Sequence, residues 1–137
     1  WLVRLAMIFV QVFVILILYG YLSSVLIYPV KPVEMAVQLM FPIGFLGGAA
    51  FMFCTLIKNG NGTAVVMILV GVALLIMSES LARSQWNIFL NPMELPDNFN
   101  AIIWKGIVTR NRLFLGVGMV IFLLYGLFNL QKRERFI

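Results

Sequence analysis

Long uncharged stretches alternate with short polar punctuation along this chain. Residues 5–28 are apolar or aromatic apart from Gln11, Ser23 and Ser24, with Arg4 in front and Pro29 behind. At a rise of about 1.5 Å per residue, a helix of that length crosses a hydrocarbon core of about 30 Å with some tilt. Tyr19, Tyr21 and Tyr28 gather toward its far end, where aromatic rings favour the headgroup layer. A second charge-free run, 35–57, lies between Glu34 and Lys58. Pro42 falls inside it with apolar residues on both sides, which predicts a kink and not a break. The segment Lys58-Asn59-Gly60-Asn61-Gly62 reads as a turn of residues that accept positive φ. Thr63 then serves as N-cap of a third span over 63–80. A fourth span covers 112–131, charge-free from Leu113 to Gln131 and flanked by Lys132, Arg133 and Arg135.

The stretch between the third and fourth spans has a different pattern. Ala82, Trp86, Phe89 and Leu90 share one face at helical spacing, with Arg83 and Asn87 on the other. Asn91-Pro92 ends that segment, and Pro96, Asp97 and Asn98 start another that carries Ile102, Ile103, Trp104, Ile107 and Val108. Paired amphipathic faces predict two short helices, roughly 80–90 and 98–109, that lie in the interface or re-enter the bilayer. Phe89 and Ile103 are then expected in the apolar layer, and Glu94 and Asp97 in water. The fold class is all-α: a polytopic membrane helical bundle with four transmembrane helices plus these two, forming a single transmembrane domain.

Composition agrees. The chain is 63% hydrophobic and 11% charged, against about 45–50% and about 25% for a soluble domain. Its net charge of +5 comes from ten Lys or Arg against five acids. Those cations sit at the ends of apolar runs, so topology and lipid headgroups account for them and nucleic acid is not called for. Histidine is absent and Cys54 is the lone cysteine. That excludes intrachain disulfides, Cys/His zinc sites, histidine-ligated haem and the commonest general base. No cofactor is expected. The first residue is Trp1, not Met, so the chain reads as a fragment of a longer protein. Arg4, Lys58, Lys132, Arg133 and Arg135 fall on one side in short flanks. Lys31, Arg83, Lys105, Arg110 and Arg112 fall on the other, mostly in one long loop, so cytoplasmic termini are favoured.

Candidate chemistry is sparse. Glu79, the one acid close to membrane depth, either faces a translocation path, pairs with Arg83 one turn on, or is an ordinary boundary charge. Gly44 and Gly48 make a G-x-x-x-G, a spacing that lets helix backbones approach, within one chain or between two. Cys54 reads as a small buried hydrophobe, and Trp86 and Trp104 as interfacial anchors. The in-span polar groups Gln11, Ser23, Ser24 and Thr55 bond across helices or to their own backbone carbonyls. Glu94 and Asp97 are paired acids with no convergent base, which argues against an enzyme.

The ending N-P-M-E-L-P-D-N-F-N-A-I-I-W-K-G-I-V-T-R-N-R, one further span and K-R-E-R resembles the C-terminal part of a type 2 ABC-transporter permease, over about the last 55 residues. The resemblance implies the third to sixth spans of a six-span exporter subunit in a bacterial inner membrane. It implies an extracytoplasmic connection with re-entrant helices before the last span, and a basic tail in the cytoplasm. Implied partners are an ATP-binding cassette subunit on another chain, a second permease copy and the lipid bilayer. Glu79, Arg83, Asn91 and Pro92 become the candidates for a translocation path or gate. No G-x-x-x-x-G-K-[ST] occurs in the chain, so ATP would be hydrolysed elsewhere. The implied coupling helix would lie upstream of Trp1, and the loop 58–62 is too short to replace it. The alternative is a non-catalytic structural subunit of a respiratory or photosynthetic complex. A small multidrug exporter would need an acid in the first span, and 5–28 has none.

Overall fold

A computed structural model describes residues 2–27, 29, 31–97 and 99–134, with the side chains of Arg133 and Glu134 excepted. The expectations placed on Trp1, Tyr28, Asn98 and Arg135, and on the Arg133 side chain, lie outside what is described. Among the described residues four helices form: α1 (Leu2–Leu26), α2 (Pro32–Ile57), α3 (Gly60–Ser80) and α4 (Ala101–Glu134). All four are long and apolar enough to cross a membrane, and no strand occurs among the described residues. The chain is therefore an all-helical integral membrane protein. It divides into two compact units, Trp1–Gly44 and Phe45–Ile137, with the boundary inside α2.

In the first unit α2 begins on Pro32, at the helical position where a missing N–H costs nothing. The Met35 N–H donates to the Lys31 carbonyl at 3.0 Å, and Lys31 pairs with Glu34 at 3.7 Å. Gly20 of α1 is buried against this start. A Cβ there would stand 3.1 Å from the Pro32 Cα, so the close approach of chain to chain requires glycine. The helix α2 continues through Pro42 without interruption.

In the second unit the turn between α2 and α3 is shorter than the sequence pattern indicates. Only Lys58 and Asn59 stand outside helices, and Lys58 alone takes positive φ, at 61°. Gly60, Asn61 and Gly62 are the first turn of α3. The N-cap is Asn59, not Thr63: its side chain accepts from the Asn61 N–H at 3.0 Å. Thr63 is buried one turn on, its hydroxyl donating to the Asn59 carbonyl at 2.9 Å. An amide side chain offers the first orphan N–H groups an acceptor, so the helix starts as early as an Asn allows. Asn59→Ala should cost about 1 kcal/mol, read as a lower thermal midpoint in detergent, while Asn61→Ala should be near neutral.

Within the second unit, residues 45–57 of α2 run parallel to α4, because their contacts ascend together. Phe45 packs against Gly118, Gly48 against Met119 and Phe122, and Phe51 against Gly126. Two helices separated by a single returning helix must point the same way, and α3 is that return. Aromatic rings of α2 sit over glycines of α4, while Gly48 of α2 receives the α4 backbone. Gly44 is also buried, on the other side of the unit boundary. Cys54 is exposed, contrary to its reading as a buried hydrophobe. Thr55 is buried and donates to the Met52 carbonyl at 2.7 Å, one of the back-bonds expected of an in-span hydroxyl.

The two short helices expected before the last span do not form. The described residues of 81–100 are turns and irregular chain, and of the segment expected as a separate helix over 98–109, residues 101–109 are instead the start of α4.

Candidate functional site: a connection fastened to the last helix

The turns of 81–100 have a local cause. The Trp86 N–H donates to the Ser84 Oγ at 3.3 Å, and the Phe89 N–H to the Asn87 Oδ1 at 3.0 Å. The Met93 N–H donates to the Asn91 Oδ1 at 3.1 Å, and the Ile102 N–H to the Asn100 Oδ1 at 3.0 Å. In each case a short polar side chain takes the N–H two residues on, which replaces helical pairing with a turn at Ser84, Asn87 and Asn91 and caps the start of α4 at Asn100. Backbone bonds step by three: Ser84 N–H to the Leu81 carbonyl, Asn87 to Ser84 and Leu90 to Asn87. The repeat is thus three residues and not 3.6, and the buried face changes with it. Asn87, Ile88 and Leu90 are buried, whereas Trp86 and Phe89, assigned to the apolar face by helical spacing, are 54% and 41% exposed. Asn100 restarts the helix, its carbonyl accepting from the Trp104 N–H at 2.9 Å.

This string of turns is fastened to α4 by two adjacent residues. Asn111 is fully buried, and its Nδ2 donates to the carbonyls of Gln85 and Asn87, both at 2.8 Å. Its Oδ1 accepts from the Arg112 Nη1 at 3.2 Å. The amide therefore uses both N–H groups and its oxygen, close to its full capacity. Arg112 is also buried, and its Nη2 donates to the Leu90 carbonyl at 3.3 Å. The carbonyls of Gln85 and Leu90 thus find donors on α4, and that of Asn87 gains a second beside the Leu90 N–H.

Aromatic packing extends the fastening. Trp86 meets Phe114 edge-on at 4.9 Å, Phe114 meets Phe45 at 5.7 Å, and Phe45 meets Phe122 at 5.1 Å. Trp104 is buried, not an exposed interfacial anchor, and meets Phe99 edge-on at 5.8 Å. The Arg83 guanidinium stands 5.8 Å from the centre of the same Phe99 ring. No family model, curated protein or solved structure matches the chain.

Of the residues nominated from sequence, Glu79 and Arg83 are both exposed, and among the described residues they form no ion pair. The reason is backbone: α3 ends at Ser80, so Arg83 is not one helical turn from Glu79. Asn91 is exposed and its Nδ2 donates to the Glu94 carboxylate at 3.2 Å, while Pro92 follows it into a turn. No hydrogen bond or ion pair links Glu79, Arg83 and Asn91 to one another among the described residues. The residue that sequence reasoning passed over is Asn111. Its signal was an amide on the stripe Trp104, Val108, Asn111, Leu115, where every neighbour at helical spacing is apolar.

Proposed function

We propose that the chain is part of the membrane-spanning permease of an ABC-type exporter, in a bacterial inner membrane with its termini cytoplasmic. One observation carries this reading. Within the stretch of the resemblance, Asn111 and Arg112 at the start of the last span are bonded to the backbone of Gln85, Asn87 and Leu90 in the connection before it. A passive link between two helices needs no buried amide to hold it. A cap that moves as one body with the last helix does. In this reading the permease switches between two packings, biased by ATP hydrolysed on a separate subunit, and touches its substrate without covalent chemistry. A second permease copy completes the path.

The test is purification from native membranes through a tag on this chain. An ATP-binding cassette chain should co-purify, and ATP hydrolysis should follow that partner and be absent from the isolated chain. Hydrolysis by the isolated chain would overturn the division of labour. Co-purification with electron-transfer subunits would overturn the transport reading in favour of a structural subunit.

A further inference from the structure

The outer face of α4 carries a feature that the fastened connection does not use. Ile102, Lys105, Gly106, Thr109 and Arg110 line an open groove on this helix. At 3.6 residues per turn, Lys105 and Arg110 flank the groove on either side, and Gly106 and Thr109 form its floor. A Cβ built on Gly106 would meet nothing within 4 Å, so the floor is open. Neither cation makes an ion pair among the described residues. The Thr109 hydroxyl donates to the Lys105 carbonyl at 2.9 Å, so its proton is committed to the helix and the cations are left to recognise a ligand.

The same line on the helix continues downward through Leu113, Val117, Val120 and Leu124, each more than half exposed. From Leu113 to Leu124 the helix rises about 16 Å, against about 15 Å for the hydrocarbon of one leaflet. A two-cation groove at the top of an aliphatic strip one leaflet long has the dimensions and polarity of a phospholipid.

We propose that this face of α4 binds one anionic phospholipid, with its phosphate between Lys105 and Arg110 and an acyl chain along Leu113–Leu124. A second copy of the same face is a poor occupant, because it would bring cations against cations. Free phosphate would leave the aliphatic strip uncovered. The site stands independently of the transport reading, since it needs only α4 and a bilayer.

Native mass spectrometry of the full chain in detergent, titrated with phosphatidylglycerol, tests it. One lipid should bind in preference to phosphatidylcholine, and inorganic phosphate should not displace it. Lys105→Gln with Arg110→Gln should weaken binding on the order of 30-fold, from two interfacial cations. Gly106→Leu keeps both charges but fills the floor, and should also weaken it. Lys132→Gln, at the other end of α4, should leave it unchanged. Equal affinity for the two lipids overturns the proposal, as does unaltered binding in both groove variants. Displacement by inorganic phosphate reduces the site to an anion contact, and loss of a dimer in place of lipid assigns the face to a second copy.

Discussion

Asn111→Ala should release the connection 81–100 from α4 and lower the stability of the second unit by about 3 kcal/mol. The magnitude follows from what the amide holds. Its Nδ2 supplies hydrogen bonds to two carbonyls, that of Gln85 and that of Asn87, which also accepts from the Leu90 N–H. Removing the donor leaves the Gln85 carbonyl to a desolvation cost of about 1–3 kcal/mol unless water enters, and takes one of two bonds from the Asn87 carbonyl. Water can enter only by lifting the connection, so lost stability and a loosened connection should appear together. Asn111→Asp keeps the volume and discriminates between packing and hydrogen bonding. It sets a carboxylate against the same two carbonyls, and should release the connection as fully as alanine does, even with Arg112 beside it. If aspartate were tolerated, shape and not donation would hold the site. Hydrogen exchange across 81–100 in detergent reads both variants.

Gly48→Leu should cost about 3 kcal/mol and separate α2 from α4 in the second unit. A Cβ at Gly48 stands 3.2 Å from the Met119 carbonyl oxygen and 3.4 Å from the Phe122 Cβ. The first of these is backbone, so relief requires one helix to move, and overpacking in a tight seam costs about 1–3 kcal/mol or more. Gly118→Ala presents a closer clash, with a Cβ 2.5 Å from the Phe45 ring, yet should cost less. There the obstacle is the far edge of a side chain, which can rotate at the expense of its packing on Phe114 and Phe122. Gly71→Leu, where a Cβ meets nothing within 4 Å, should be near neutral. Thermal unfolding in detergent, followed by circular dichroism, ranks the three. A Gly71 variant as damaging as the Gly48 variant would show that helix–helix approach is not the cause.

The spans were legible because hydrophobic runs bounded by charge and proline have few other solutions. All four were found; Asn59 moved the start of α3, and the largest change is α4, which begins at Ala101 and not at 112. The connection was misread for a single physical reason. Ala82, Trp86, Phe89 and Leu90 fit a helical stripe, but Ser84, Asn87 and Asn91 each draw a backbone N–H into a turn, and local competition outweighs periodicity over so short a segment. The first three turns of α4 were detached from the span because Arg110-Asn111-Arg112 looked like a boundary. In the structure only Arg110 faces outward, while Asn111 and Arg112 are buried under the connection. A run of three polar residues on a helix points three ways, and the sequence alone does not say which one meets a neighbour. Glu79 and Arg83 drew attention as charges near membrane depth. The bonds that organise this region come instead from an amide whose partners are backbone atoms more than twenty residues away, a relation that side-chain spacing does not encode.

Single-cysteine labelling in a Cys54→Ala background tests the central claim, that the connection is folded onto α4. Ile88 and Leu90 are 6% and 4% exposed, while Glu94 in the same connection is exposed. Cysteines at 88 and 90 should resist a polar maleimide while one at 94 reacts promptly, and Asn111→Ala should bring all three to similar rates. Rapid labelling at 88 and 90 in the presence of Asn111 would mean an ordinary loop, and the fastening described here would be wrong.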